Sequence, residues 1–427
     1  MRALTLTWEF PPRITGGLGM ACYGMVKALL RLGVEVDLVI PADEEVYFAL
    51  RREQDADSLP LVFADPTQQK RLGKKVTAKE MVSERIEFFD VYYTPAKKWL
   101  VEELVEYAPM DSSLEPLLSY LTDDHPLFRA VRAYTALAIN IAKRLDFDII
   151  HTHDWMTYIP GILIKGISGK PLVAHIHATE FDRAGGPGDR RIHDVEYIGM
   201  QSADRVLSVS DYTAKIILQR YKVAPEKIRI VHNAFTLQKA EKTKERMFRE
   251  PLVVFLGRIT LQKGPDYFLE VARRVLQEER NVRFVMGGRG DMEKKILYEA
   301  ASLGQGTKFL FAGFLAREEV EQVLSAADIF VMPSVSEPFG ITPLEAMSYG
   351  AVTIISKRSG VAEVVKHAYK VDYWDIEEMS SIILDLIRNP EKLREVSRRS
   401  MEEVARLQWE EAAKKISNIY TELQEGR

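Results

Sequence analysis

The sequence predicts an α/β protein in which two doubly wound, parallel-sheet domains follow one another. Short apolar runs alternate with segments of helical period along most of the chain, as in parallel sheets covered on both faces. The length of 427 residues exceeds what one hydrophobic core usually serves. Residues 236–250 are highly charged and have no apolar stripe, so we expect the linker there.

The first domain is expected to span residues 1–238. Its opening βαβ unit has a strand at 3–8, a loop rich in Pro and Gly, a helix over Leu18–Leu32 and a strand at 34–40. The period lapses over residues 41–130, which we interpret as an insertion. It then resumes, with helices expected at 129–145, 157–167, 192–202 and after Ser210, and strands at 147–151, 171–175, 204–209 and 228–231.

The second domain is expected over residues 250–406. Its strands are predicted at 252–256, 282–286, 308–312, 329–332 and 351–355, and its helices at 265–278, 291–303, 316–327 and 343–349. Further helices are expected from 376 to 425. The last of them, about 407–427, should return to the first domain with Trp409 as its anchor.

Composition narrows the class of protein. A hydrophobic fraction of 46% with 28% charged residues is ordinary for a soluble globular protein. A net charge of −4 gives no electrostatic case for nucleic acid. The single cysteine, Cys22, excludes an intrachain disulfide and predicts a cytoplasmic location. No apolar run is long enough to span a membrane, although a basic helix could still provide peripheral membrane contact.

The most informative motif is Ser-Glu-Pro-Phe-Gly-Ile-Thr-Pro-Leu-Glu-Ala-Met at 336–347. Glu337 and Glu345 flank a turn that follows an apolar run and precedes a helix, which we expect to begin near Pro343 with Thr342 as its cap. Phosphate is favoured at such a helix start, where the backbone N–H groups are unpaired. These groups belong to Gly340, Ile341 and Thr342. The two carboxylates suit the hydroxyls of a sugar and a ribose, so the motif predicts a nucleotide-sugar pocket.

A second motif, Gly257 to Gly264, follows the first strand of the second domain. Arg258 and Lys263 are five positions apart on this glycine-bounded loop and could both reach one diphosphate. With the glutamate loop expected at a neighbouring strand end, we predict that this pair holds the phosphates.

A glycine turn and a histidine cluster mark the first domain. Gly16, Gly17 and Gly19 lie at the first strand-to-helix turn, where a diphosphate or sugar could approach the backbone. Histidines end two predicted strands as His151/His153 and His175/His177. A zinc site with Asp154 and His193 as further ligands is one interpretation, although no HExxH spacing is present. The other gives His151 and His175 a structural role and His177 a sugar contact.

Two weaker features are also noted. Asp146-Phe147-Asp148 matches the DxD pattern of metal-dependent glycosyltransferases, but it begins a strand and therefore lies at the end of the sheet that does not bind ligands. The Gly-rich stretch 184–188 is flanked by Glu180, Arg183, Arg190 and Arg191, and it could be either a mobile lid or a solvated turn.

Taken together, these motifs resemble those of the retaining nucleotide-sugar glycosyltransferases of the GT-B fold, in particular the group 1 glycosyltransferases and glycogen synthases. The resemblance spans Trp8 to Trp409 and is weakest over 41–130. It implies that Arg258 and Lys263 hold the leaving diphosphate, Glu337 the transferred sugar and Glu345 the ribose. The backbone of Phe339, Gly340 and Ile341 would touch phosphate or sugar, and His177 would lie beside the anomeric carbon.

The stretch His-Thr-His-Asp-Trp at 151–155 is similar to a motif of glycogen synthases and marks Asp154 and Trp155, together with Glu180, as acceptor or sugar candidates. One position departs from the bacterial glycogen synthases, which have a lysine where this chain has Ile14.

The sequence therefore predicts a retaining hexosyltransferase that needs no metal or other cofactor. We expect it to move a hexose, glucose first among them, from a nucleoside diphosphate to a hydroxyl of an α-glucan. The resemblance implies front-face attack, in which the departing phosphate oxygen takes the acceptor proton. Transfer to a small-molecule or lipid-linked acceptor, a sugar-nucleotide epimerase and a metal-dependent hydrolase remain as alternatives.

Overall fold

The fold was determined as a computed structural model. It describes residues 1–11, 16–41, 46–59, 117, 120, 123, 125–235, 248–302 and 308–426. The predicted linker lies mostly outside these residues, as does most of the predicted insertion.

The first domain is built on a seven-stranded sheet in the order β3-β2-β1-β4-β5-β6-β7. All neighbouring strands are parallel except β2 and β3, which pair antiparallel at one edge. The strands are β1 Arg2–Leu6, β2 Glu35–Val39, β3 Tyr47–Leu50, β4 Ile149–His153, β5 Leu172–Ile176, β6 Arg205–Ser208 and β7 Ile228–Ile230.

Helices pack on both faces of this sheet and enclose two apolar clusters. Strands β1, β4 and β5 are therefore buried along nearly their whole length. The helices are α1 Gly17–Arg31, α2 Glu53–Asp57, α3 Pro126–Ala142, α4 Tyr158–Ser168, α5 Glu180–Ala184, α6 Arg190–Ser202 and α7 Asp211–Ile216.

The second domain has a six-stranded sheet, all parallel, in the order β10-β9-β8-β11-β12-β13. Its strands are β8 Leu252–Leu256, β9 Arg283–Gly287, β10 Phe309–Gly313, β11 Ile329–Met332, β12 Val352–Ser356 and β13 Tyr369–Val371. Its helices are α8 Pro265–Glu278, α9 Glu293–Ser302, α10 Arg317–Ala326, α11 Ile341–Ser348, α12 Val361–Val364, α13 Ile376–Arg388 and α14 Pro390–Val404. Two such sheets, each covered by helices, confirm the predicted fold class.

The last helix, α15 (Trp409–Glu425), leaves the second domain and packs on α1 of the first. Gly24 makes this close approach possible, because a Cβ at that position would lie 2.2 Å from the indole nitrogen of Trp409. No helix in the described part of the chain combines the length and the apolar character needed to cross a bilayer.

Several predicted boundaries were wrong for physical reasons. Helix α3 begins at Pro126 instead of residue 129, because Pro is favoured in the first turn and His125 accepts a hydrogen bond from the N–H of Leu127 at 3.3 Å. Helix α11 begins at Ile341, not near Pro343, and Gly340 with φ 96° occupies the cap position that we assigned to Thr342. Strand β13 was not predicted, since three residues are too few to show a period.

Candidate active site

The candidate site of the second domain lies where β8 and β11, which are neighbours in the sheet, both end. The ammonium of Lys263 pairs with the carboxylate of Glu337, which comes from the loop after β11. Ser334 donates a second hydrogen bond to the same carboxylate at 3.3 Å. Glu337 is only 5% exposed, so it depends on Lys263 as the opposite charge and on Ser334 as a further hydrogen-bond donor.

Two backbone features bring the loops of Lys263 and Glu337 together. The N–H of Val335 donates to the carbonyl of Gln262 at 2.9 Å. Gly264 has φ 66°, and a Cβ there would lie 2.1 Å from the carbonyl oxygen of Pro333. Glycine is therefore required at this position on both conformational and steric grounds.

Arg258 lies on the same loop as Lys263, and its side chain is exposed. Its guanidinium donates to the side-chain oxygen of Gln262 at 2.8 Å, and Gln262 itself is buried. A guanidinium fixed by one bond keeps its other donors available, so Arg258 can still form the fork that suits a phosphate.

The turn after Glu337 is fixed by contacts with the end of β12. The N–H of Glu337 donates to the carbonyl of Arg358 at 2.9 Å, and the N–H of Val361 donates to the carbonyl of Phe339 at 2.7 Å. The ring of Phe339 is buried. The start of α11 at Gly340 and Ile341 is therefore held in place beside the Lys263–Glu337 pair.

Glu345 has a partner that the sequence did not reveal. Arg317, the first residue of α10, donates to Glu345 at 2.8 Å and to Glu321 at 2.8 Å. Burial raises the pKa of Glu345, and the neighbouring guanidinium opposes that rise. Arg317 and Glu321 have the i, i+4 spacing of a helical ion pair, but nothing in that spacing points to Glu345.

In the first domain, the glycine turn is open at its tip. The N–H of Gly16 donates to the carboxylate of Glu9 at 3.0 Å, and a Cβ at Gly17 would meet no atom within 4 Å. Gly16 and Gly17 are exposed, whereas Gly19 is buried within α1. A ligand could thus reach the first two glycines but not the third.

The four strand-end histidines form one buried array. Their rings lie 4.3 to 5.3 Å from their neighbours in the array. His151 and His175 share a hydrogen bond of 3.2 Å, and His153 and His177 share one of 2.9 Å. Burial lowers the pKa of His151 and of His177 to about 3, and it lowers the pKa of His153 and of His175 well below the ordinary value of a histidine. All four rings are therefore neutral at neutral pH.

His177 differs from the rest of the array because it is only half-buried. Its Nε2 faces His153, while its Nδ1 has no hydrogen-bond partner in the structure. That nitrogen is itself buried, so only the exposed part of the His177 residue is open to a ligand.

Asp154 holds the loop that carries His177. Its carboxylate accepts from the N–H of His177 at 2.7 Å and of Ala178 at 3.3 Å. Its own backbone has φ 60°, which is uncommon for a residue other than glycine. Trp155 is buried, with its ring centroid 5.8 Å from that of Phe128. The structure thus places these two predicted acceptor candidates beneath the surface.

Glu180 belongs to a buried ionic network. Arg183 bonds its carboxylate at 3.2 Å and also pairs with Glu196. The N–H of Asp189 donates to Glu180 at 2.9 Å and so fixes the loop around Gly188. Burial raises the pKa of Glu196 to about 7. In this structure Glu180 holds the loop in place and leaves little of its carboxylate exposed.

A hydrogen-bonded chain joins the two domains beside these groups. Ser336 donates to Asp182 at 2.5 Å, and Asp182 accepts from the hydroxyl of Thr179 at 2.7 Å. Tyr212 also contacts the hydroxyl of Ser336, at 2.9 Å. Thr179 is two residues from His177 and Ser336 precedes Glu337, so these hydrogen bonds connect the loop of His177 to the loop of Glu337.

Only some of the zinc ligands expected from the sequence lie close to one another. Within the described residues, two groups have ligand atoms close enough to share an ion: Cys22, His153 and His177, and His151, His153 and His175. His193 is not in either group, because its ring stacks on Tyr221 at 4.8 Å. The carboxylate of Asp154 is not in either group, and it accepts a hydrogen bond from the backbone N–H of His177.

Comparison with known proteins decides the family. Residues 238–403 match the model of the group 1 glycosyl transferases, and residues 93–239 match that of glycosyltransferase family 4. Together the two matches cover well over half of the chain. An uncharacterised glycosyltransferase of Methanocaldococcus jannaschii is 26% identical, with 98% of each chain covered.

The chain belongs to the glycosyltransferases of the GT-B fold.

Other similarities are more distant. A glycogen synthase of Mycobacterium tuberculosis is 22% identical to this glycosyltransferase over 86% of the chain and 80% of the relative. The structure of the Anabaena protein HepE, solved with UDP and glucose, covers 99% of both chains at a TM-score of 0.66 and 17% identity. The latter likeness concerns the fold.

The glycosyltransferase brings together most of the residues that the sequence singled out. Lys263 and Glu337 are in contact, and Arg258 lies on the same loop as Lys263. Sequence reasoning missed the residues that hold the site in shape. These are Arg317, which reaches Glu345, the pair of Ser336 and Asp182, which are distant in the chain, and Gln262, which accepts a hydrogen bond from Arg258 four positions before it.

Proposed function

We propose that this glycosyltransferase moves a hexose, with glucose as the first candidate, from a nucleoside diphosphate to an acceptor hydroxyl with retention of configuration and without a metal ion. One observation carries the proposal. The Thr179–Asp182–Ser336 chain brings the His177 loop of one domain to the Glu337 loop of the other. A donor bound to the second domain would therefore present its sugar to the first.

The charges of the site suit such a donor. As the bond to the diphosphate breaks, positive charge develops at the anomeric carbon and negative charge at the leaving oxygen. Arg258 and Lys263 would stabilise the leaving oxygen from positions that are already fixed. Glu337 would then accept hydrogen bonds from sugar hydroxyls, and Glu345 from the ribose.

His177 fits the role of a neutral sugar contact better than that of an acid. Burial lowers its pKa to about 3, so at neutral pH the ring is not an imidazolium and cannot act as a general acid. We infer that the departing phosphate oxygen takes the acceptor proton, which requires no side-chain base. The cations Arg258 and Lys263 fill the place that a divalent ion has at other diphosphate sites.

An α-glucan is the acceptor that we propose. The similarity to a glycogen synthase supports it, whereas Ile14 is a departure from the bacterial glycogen synthases. A small-molecule or lipid-linked acceptor remains the second candidate within the same reaction.

A donor screen followed by product analysis tests the proposal. UDP-, ADP- and GDP-glucose and the corresponding mannose donors should be screened by thermal shift, because a ligand of the folded state raises Tm. The best donor is then incubated with maltohexaose, and the new anomeric proton is assigned by NMR. We expect an α-linked product from an α-linked donor, and turnover that survives EDTA.

Other outcomes separate the alternatives. An inverted product would contradict retention. Loss of turnover in EDTA with rescue by a divalent ion would contradict the metal-independent mechanism. Conversion of the donor sugar without acceptor would indicate an epimerase.

A further inference from the structure

Three aromatic side chains meet at the surface of the second domain, of which Trp374 is exposed and Tyr267 and Tyr373 are half-buried. Tyr373 lies 5.1 Å from Tyr267 and 4.8 Å from Trp374, measured between ring centroids, and both pairs meet edge to face. The guanidinium of Arg358 lies 5.3 Å from the ring of Tyr373 and 5.4 Å from that of Trp374. These four side chains are called the aromatic rim below. Their mutual contacts fix the rings in one arrangement.

Trp374 is exposed to a degree that packing does not explain. It is 51% exposed, whereas Trp155 and Trp409 are buried and Trp8 is half-buried. A large apolar ring left in water gains nothing for folding, so an exposed tryptophan fixed by neighbours suggests a binding surface.

The aromatic rim adjoins the candidate site. The carbonyl of Arg358 accepts from the N–H of Glu337 at 2.9 Å, so the rim's arginine is attached to the turn of the sugar-binding carboxylate. Tyr267 lies in the first turn of α8, four residues after Lys263, and its ring lies 3.0 Å from where a Cβ of Gly264 would be. A molecule that extends out of the cleft past Glu337 and Lys263 would meet these rings.

The position of the rim argues against a nucleobase as its ligand. Tyr373 and Trp374 follow β13 at one edge of the sheet, while Arg317, the partner of Glu345, follows β10 at the other edge. Glu345 itself lies on α11, which follows β11, and Arg317 approaches it from the β10 side of the sheet. A ribose on Glu345 that extends toward Arg317 would place its base on the β10 side, whereas Trp374 lies on the β13 side.

We propose that the aromatic rim is an acceptor subsite that binds sugar units of a glycan chain beyond the one that is glycosylated. This inference rests on the proposed function and specifies its acceptor as an oligosaccharide. The face of an aromatic ring is negative, and the C–H groups of a pyranose are polarised positive by their oxygens, so the two surfaces attract. Arg358, which is exposed, can donate to hydroxyls at the ring edges.

Binding measurements with defined glycans test the subsite. Maltohexaose, maltose and mannohexaose are titrated by calorimetry into the wild type, Trp374→Ala and Tyr298→Ala, without any nucleotide. Tyr298 is a matched control, since it is 78% exposed and lies on α9, away from the candidate site. UDP, ADP and GDP are titrated into the same three proteins.

We expect Trp374→Ala to raise the Kd of at least one hexasaccharide about tenfold, an effect typical of one stacked ring. Maltose should show a smaller change if it binds, and Tyr298→Ala should match the wild type. Nucleoside diphosphate affinity should be equal in all three proteins.

Three results would overturn the inference. These are hexasaccharide affinity that does not depend on Trp374, no hexasaccharide binding by the wild type, and loss of nucleoside diphosphate affinity in Trp374→Ala, which would make the rim a base site. Failure of the proposed function looks different, because the wild type would then bind none of the three nucleotides.

Discussion

The strand ends of the two domains differ in electrostatic character. The first domain presents four neutral histidines, held by hydrogen bonds to one another and to Tyr420. The second presents paired charges, Lys263 with Glu337 and Arg317 with Glu345. A departing diphosphate needs fixed cations, whereas an uncharged acceptor hydroxyl does not. The difference fits the proposal that the diphosphate of the donor binds to the second domain.

The charged side should be the more sensitive to mutation. Arg258→Ala is expected to lower kcat by about 10²–10³, with a smaller change in KM, since this cation acts on charge that develops in the transition state. Steady-state kinetics with the best donor measures both constants. Arg274→Ala is the control, because that arginine is paired with Glu377 on the surface. If the activity of Arg258→Ala is within threefold of wild type, Arg258 does not stabilise the leaving diphosphate, and the charged side is not the more sensitive one.

The four neutral histidines of the first domain should make the free energy of unfolding depend on pH. The folded-state pKa of each array histidine is lowered, so below pH 6.5 the unfolded chain binds protons that the folded chain does not. The free energy of unfolding should therefore fall as pH decreases from 6.5, by about 2 kcal/mol per histidine at pH 5. Glu196 acts in the opposite direction, because its raised pKa favours the folded state as pH falls from about 7.

Urea denaturation at a series of pH values measures this slope. His175→Asn should reduce the slope, whereas His367→Asn, at a half-exposed histidine bonded to Glu403, should leave it unchanged. An equal slope in His175→Asn would mean that the array is not neutral in the folded protein.

The two glutamates should differ in what they bind. Glu345→Ala is expected to weaken nucleoside diphosphate binding by about 1–3 kcal/mol, the cost of losing hydrogen bonds to a charged group. Glu337→Ala should leave that affinity nearly intact and remove transfer. Calorimetry on both variants, with kinetics on Glu337→Ala, checks the assignment. Equal losses of nucleotide affinity would show that the roles are not separate.

Arg317 should act on nucleotide binding indirectly, through its ion pair with Glu345. Burial favours protonation of Glu345, and Arg317 opposes this. In Arg317→Met the nucleoside diphosphate Kd should therefore rise as pH decreases, by up to tenfold per pH unit, while Arg317→Lys should restore a flatter profile. A Kd in Arg317→Met that does not vary with pH beyond the wild-type profile would assign Arg317 a packing role alone.

The smallest effect is expected at the junction of the two sides. Ser336→Ala removes the hydrogen bond to Asp182 and should cost about 1 kcal/mol in kcat/KM, with nucleoside diphosphate affinity unchanged. Ser397→Ala is the control, since that serine bonds within the second domain. Small-angle scattering should also show a smaller radius of gyration with nucleoside diphosphate and acceptor, and less so in Ser336→Ala. If Ser336→Ala and the wild type have the same kcat/KM, the Ser336–Asp182 hydrogen bond does not contribute to catalysis.

Patterns local in the chain were enough to predict much of the molecule. Apolar alternation predicted the two sheets because strand and helix periods are set by neighbouring residues. Arg258, Lys263 and Glu337 were also predictable, since loops after neighbouring parallel strands meet at one edge of a sheet. The i, i+2 spacing of His151 and His153 placed both rings on one face for the same reason.

Tertiary structure alone decided which partner each of these residues has. Arg317 reaches Glu345, Ser336 reaches Asp182 in the other domain, and Tyr420 reaches His151 across 269 positions of sequence. The aromatic rim likewise joins the starts and ends of three separate elements. Such contacts leave no periodic trace, because they depend on how whole domains and helices pack and not on residues a few positions apart.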